Sequence, residues 1–225
     1  MHYSKQITNR LYGSFLLVIM LLIRIIVTGK FTYSFLLWNL FLAFLPLAIA
    51  LMSSRYFLKS WKLIIMTIGW LLLFPNAPYL VTDLYHLAHV KGMPAWYDAL
   101  MLFTAASTGI GLAFTSLQVM EKQWSFMWQK KFLSSFSTGS RIRLRMAGIM
   151  IIYMLTGFGI YLGRILRYNS WDVVTDSGDL FTDISIRLSS PFTHISTWGF
   201  TCVYGGVLFL LYYAWCGSSR TNDVH

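Results

Sequence analysis

The residues able to do chemistry in this chain are few, and they cluster. The richest stretch runs Phe74-Pro75-Asn76-Ala77-Pro78-Tyr79-Leu80-Val81-Thr82-Asp83-Leu84-Tyr85-His86, with His89 shortly after it. On a helix, Asp83 and His86 are i,i+3 neighbours on one face, and His89 is one further step round. An Asp and a His at that spacing can ligate one divalent metal ion, or act as a carboxylate–imidazole acid–base pair. They can equally form a structural pair in which the carboxylate orients the imidazole. Asp98 opens the next apolar run, just after Pro94. A carboxylate in a first turn complements the helix dipole, and from there Asp98 can also face Asp83 and His86 across a short loop. His194 lies at the start of the last apolar run, after Ser190 as cap and Pro191 at the first helical position. The metal reading therefore takes Asp83, His86 and His194 as ligands. Asp98 and Asp83 are its catalytic carboxylates.

A second group is basic. Arg164 and Arg167 share a helix face at the end of the fifth apolar run, ahead of Asn169-Ser170-Trp171-Asp172. They can pair with nearby acids, snorkel to the interface, or hold a phosphate-bearing headgroup bidentately. No GxSxG elbow is present, and no phosphate-binding glycine loop, dinucleotide fingerprint, haem or iron–sulfur pattern. Cys202 and Cys216 stand fourteen positions apart in one apolar segment. As helix positions they would be about 21 Å apart, too far for a disulfide.

These residues must be positioned by elements that live in lipid. Of the 225 residues, 56% are hydrophobic and only 12% charged, against roughly 25% charged in a typical soluble domain. A span needs about 20 mostly apolar residues. Six fit, at about 11–28, 33–52, 61–81, 96–120, 146–163 and 197–215. The expected architecture is one all-α integral-membrane bundle of six transmembrane helices, a single transmembrane domain over 1–225. The third span is unlike the others. Its pure apolar run ends at Phe74, so it must cross as a helix broken at Pro75–Pro78, with Asn76 capping a second half-helix and Pro78 in its first turn. Irregular backbone at that depth is tolerated only inside protein or beside a wet cavity. Pro75, Asn76 and Pro78 thus read as structural, and so do Asn169, Trp171 and Asp172.

The net charge is +10. Counted across six spans, twelve Lys and Arg fall on the side of the N-terminus and five on the other, with Arg24 inside a span. That bias sets an N-in, C-in orientation and makes topology, not nucleic acid, the reason for the charge. Asp83, Asp98, Asp172, Asp176, Asp179 and Asp183 then face out, with His86, His89 and His194. Arg24 lies near the outer end of its span, where snorkelling accounts for it. Thr104, Ser107, Thr108, Gly109 and Gly111 in the fourth span, and Gly159 with Gly163 in the fifth, predict close helix packing. An inner segment at 121–137 carries Trp124, Trp128, Phe132 and Phe136 every four residues beside Lys130 and Lys131, as an amphipathic anchor would. Ser134–Ser140 reads as a flexible link. An outer interfacial segment at 178–190 has Leu180, Ile184 and Leu188 as one stripe and Asp179, Asp183 and Arg187 as another.

The motifs Phe74-Pro75-Asn76-Ala77-Pro78-Tyr79, Thr82-Asp83-Leu84 with His86, Trp96-Tyr97-Asp98, and Gly163-Arg164 with Arg167 and Asn169-Ser170-Trp171-Asp172 resemble an uncharacterised bacterial membrane family, domain of unknown function 1361. The resemblance covers about Phe35 to Tyr213 and implies a multi-pass inner-membrane protein with no established activity. Three functions fit the residues. One is an enzyme facing out of the cytoplasm, using a divalent metal on a lipid or lipid-linked substrate. The second is a small transporter or channel subunit built on the broken third helix. The third is a non-catalytic assembly protein. The bilayer is the expected partner in all three, and protein partners are not readable.

Overall fold

A computed structural model describes residues 2–55, 60–88, 92–131, 137–169 and 172–221. Among them every regular element is a helix. The order is α1 (His2–Thr28), α2 (Phe35–Arg55), α3 (Ser60–Leu73), α4 (Asn76–Tyr79), a 3-10 helix (Leu80–Ala88), α5 (Ala95–Lys131), α6 (Thr138–Arg164), α7 (Asp172–Thr175), α8 (Ser177–Ser189) and α9 (Ile195–Thr221). Six helical stretches are long and apolar enough to cross a membrane: Lys5–Thr28, Phe35–Ser54, Trp61–Leu87, Ala95–Met127, Thr138–Arg164 and Ile195–Cys216. Large side chains such as Phe15, Ile26, Phe41 and Phe103 are exposed along them, the pattern of helices solvated by acyl chains rather than water. His89, Trp171, Phe132 and Phe136, to which the sequence assigns roles, lie outside the described residues.

The chain forms two compact units, Met1–Lys131 and Phe132–His225. In the first, α5 is the central helix. Its most apolar window is 78% buried, against 28–33% in the other five spans. Small residues make this possible. Ala105, Ala106, Thr108, Ala113 and Ser116 are buried along it, and without bulky side chains the neighbouring backbones come close. A Cβ on Gly109 would collide with the Ala77 carbonyl, and one on Gly111 with the Arg10 guanidinium. Further on, Trp70 Nε1 donates to Ser116 Oγ at 2.6 Å and Trp124 Nε1 to Thr67 Oγ1 at 3.0 Å. Trp124 sits edge-on to Trp70 with ring centres 5.5 Å apart. α5 continues past Met120 to Lys131 because Glu121, Lys122 and Gln123 are good helix formers, with no Pro or Gly to stop it.

The third span changes character at its prolines. Pro75 and Pro78 have no N–H to donate, so two helical hydrogen bonds are missing. Ala77 N–H donates to Phe74 O at 3.2 Å, and Tyr79 N–H to Pro75 O at 3.0 Å. Pro75 keeps right-handed helical dihedrals, φ −58° and ψ −26°, so the interruption lies in the bonding pattern. The cap position falls on Pro75, one residue before the predicted Asn76, and carries no side-chain cap bond. Asn76 is instead the first residue of α4, with Pro78 two further on. Ala77 and Pro78 are buried where Gly109 lets α5 approach. The nine residues that follow wind as a 3-10 helix, far longer than the usual three or four.

The second unit is built on α6 against α9. A Cβ on Gly157 would lie 2.7 Å from Thr201 O, and one on Gly205 2.6 Å from Tyr153 O. The close approach thus falls on Gly157 and Gly205, while Gly159 and Gly163 are only half-buried. Ser137 caps α6, its side chain accepting from Ser140 N–H, so the helix starts inside the stretch read as a link.

Candidate functional site

The polar centre of the first unit is built where α1 ends, α2 and α5 begin, and the 3-10 helix passes. Arg24, one turn before the end of α1, is 1% exposed, and Asp98 in the first turn of α5 is 2% exposed. Arg24 Nε donates to Asp98 Oδ1 at 2.8 Å and Nη2 to Oδ2 at 3.1 Å. This two-pronged geometry satisfies both carboxylate oxygens, which a buried ion pair requires if attraction is to offset desolvation. Arg24 therefore does not snorkel. Its guanidinium is also capped by the Tyr33 ring, with Cζ 4.5 Å from the ring centre. Burial, and then the Asp98 carboxylate, push the Tyr33 phenol above its ordinary pKa. It stays protonated and donates to the His86 carbonyl at 3.2 Å.

The 3-10 helix brings the other two residues in. Its three residues per turn place i and i+3 in line, so Asp83 and His86 fall on one edge. Asp83 is fully buried, and Asn39 Nδ2 of α2 donates to its Oδ2 at 2.9 Å. His86 is half-buried, its ring 5.0 Å from that of Phe35. Asp98 and Asp83, the two predicted catalytic carboxylates, are thus held by an arginine and an asparagine. Among the described residues, no group of three or more His, Cys, Asp or Glu is placed to hold a metal ion. Arg24, Tyr33 and Asn39 were not singled out as site residues by sequence. One signal was available for Arg24: an arginine four residues from a span's end calls for an acid at matching depth, and Asp98 is that residue.

The remaining candidates belong to the second unit. His194 is the last residue of a turn over Pro191–His194, and its carbonyl accepts from Thr197 N–H at 3.0 Å at the start of α9. It sits one residue before that helix, not in its first turn. Arg164 is the half-buried last residue of α6. Arg167 is exposed, with a left-handed φ of 67°. Tyr168 N–H reaches back six residues to Leu162 O at 3.1 Å, closing a turn past the helix end in which Arg167 holds the left-handed conformation Gly usually takes. Such a conformation costs a side-chain-bearing residue about 1–2 kcal/mol. Asn169 N–H donates to Asp172 Oδ2 at 2.6 Å, and Thr175 Oγ1 to Oδ1 at 3.2 Å. Asp172 thereby joins the turn to α7.

On α8 the buried face differs from the expected leucine stripe. Leu180 and Arg187 are buried, Asp183 and Ile184 are half-buried, and Leu188 is 59% exposed. The reason is a polar link along the helix. Arg187 Nη1 donates to Asp183 Oδ1 at 2.8 Å, and Tyr168 OH donates to Asp183 Oδ2 at 2.9 Å. Arg187 first and Tyr168 second hold the Asp183 carboxyl below the usual carboxylate range. In return the Tyr168 phenol is pushed up to about 12, mainly by its bond to Asp183.

Six apolar helical spans around buried polar centres define a multi-pass helical membrane protein. Residues 38–211 match the family described as a protein of unknown function, DUF1361, and the chain belongs to that family. No curated protein and no solved structure matches it.

Proposed function

We propose that the chain is a small transporter or channel subunit that passes protons or a small ion along the interrupted third span. One observation carries this reading: where Asp83 and His86 occur, the span leaves α-geometry for a nine-residue 3-10 helix. Ionisable residues inside spans mark ion and proton pathways, and irregular helices inside spans form binding sites in transporters. A 3-10 helix rises about 2.0 Å per residue against 1.5 Å in an α-helix. Exchange between the two over this segment shifts one end by about 4–5 Å, a means of opening and closing a path.

The test is reconstitution into liposomes holding a pH-sensitive dye, with a potassium diffusion potential imposed. Wild type should pass protons faster than empty vesicles, and Asp83→Asn should bring the rate down towards theirs. Equal rates in empty, wild-type and Asp83→Asn vesicles would overturn the reading.

A second reading rests on the alignment of Asp83 with His86. That edge offers one carboxylate and one imidazole to a divalent metal, whose bound water would be the nucleophile on a lipid or lipid-linked substrate. Stoichiometric metal in purified wild type, lost in His86→Ala, supports it. Metal-free wild type sinks it.

A further inference from the structure

We infer that the second unit carries an anion site, centred on Arg187, for a phosphate group such as a lipid headgroup presents. Arg187 lies on the short, largely exposed helix α8, yet it is only 8% exposed itself. Its Nη1 is committed to Asp183, donating to both the side chain and the backbone carbonyl at 2.8 Å. Its Nε is buried and has no hydrogen-bond partner among the described residues. The Nε–H is thus left unpaired, on the side of the guanidinium whose N–H vectors match the oxygens of a phosphate or carboxylate.

Hydroxyls gather beside the guanidinium. Arg187, Thr197 and Ser196 lie beside the Tyr161 hydroxyl of α6. Thr197 is itself fully buried, and its Oγ1 has no hydrogen-bond partner among the described residues. An unpaired buried arginine N–H and an unpaired buried hydroxyl are each costly. Two of them beside a tyrosine hydroxyl and the first turn of a long helix describe a cradle that an oxyanion completes. The helix start adds a partial positive charge.

The Asp183 carboxylate opposes an anion, but unequally. Its side chain is 35% exposed against 10% for Arg187, so water screens Asp183 while the guanidinium acts through a drier medium. Asp183 also shares itself with Tyr168. It orients the arginine more than it cancels it.

Two probes distinguish the sources of phosphate. Native mass spectrometry of the full chain, purified in neutral detergent, compares retention of phosphatidylglycerol with that of phosphatidylcholine of the same acyl chains. Thermal unfolding compares inorganic phosphate with chloride at matched ionic strength. Arg187→Lys keeps the charge and removes the fork, while Thr197→Val removes one hydroxyl at constant shape. A lipid site gives wild type a preference of about tenfold for phosphatidylglycerol, reduced in both variants. A site for free phosphate gives a raised midpoint in wild type alone. The inference fails if wild type shows neither preference nor shift, or if both variants behave as wild type. Should Arg187→Lys not fold, Thr197→Val alone decides.

Discussion

Arg24 and Asp98 have 1% and 3% of their side-chain surface exposed, and at that depth an ion pair is worth most as a pair. Removing either partner strands a charge. Arg24→Ala or Asp98→Ala should each cost about 3–5 kcal/mol, whereas replacing both with apolar residues should recover most of it. Unfolding of the three variants in one detergent checks this, and additive single effects would refute it. Tyr168 makes a prediction in pH. Its folded pKa is raised, so its bond to Asp183 is fully present below the ordinary value near 10 and lost as pH rises through about 12. Asp183 behaves oppositely. Its folded pKa is depressed, so its contribution is present above the usual Asp range and lost as pH falls below it. Difference spectra at the tyrosinate band, wild type minus Tyr168→Phe, should show a phenol that ionises about two units late. A titration near 10 would refute the hydrogen bond.

At the scale of elements, two contacts decide where helices can go. The first is Gly109 of α5 against the Ala77 carbonyl between the two prolines. Gly109→Ala should destabilise the first unit by about 1–3 kcal/mol through overpacking. Gly148 of α6 is the contrast. Nothing lies within 4 Å of a Cβ built there, and it is exposed in mid-helix. Gly148→Ala should therefore be neutral or stabilise by up to about 1 kcal/mol. Thermal midpoints of the two variants test both, and equal effects would show that packing does not distinguish the sites. The second contact is the crossing of α6 and α9 at Gly157 and Gly205. That this helix packs closely through small residues was legible in the sequence. Which of Gly157, Gly159 and Gly163 faces α9 was not, because the facing side depends on how the helix is rotated in its unit.

For the whole molecule, the asymmetry of Lys and Arg predicts both termini on the cytoplasmic side. Reporter fusions check this: a fluorescent protein should fold at either end, and a phosphatase fused within the Pro191–His194 turn should be active. Activity in the reverse pattern would invert the orientation and move Asp83, Asp98 and His194 to the cytoplasmic side. The two units also separate the predicted site residues, with Asp83, His86 and Asp98 in Met1–Lys131 and Arg164, Arg167 and His194 in Phe132–His225.

Composition and the run lengths of apolar residues determined the medium, the helical class and the six spans, because crossing a hydrocarbon layer imposes a length and a polarity that one sequence displays directly. Pro75 and Pro78 likewise announced that the third span could not remain an ordinary α-helix. The partners of the charges were decided only in three dimensions. Arg24 reads from sequence as a snorkelling residue and Arg187 as the polar side of a surface helix, yet both are buried. The pair Arg24–Asp98 is separated by 74 positions. Nothing local in the chain records which helix faces which, so that pairing emerges only when α1 packs against α5.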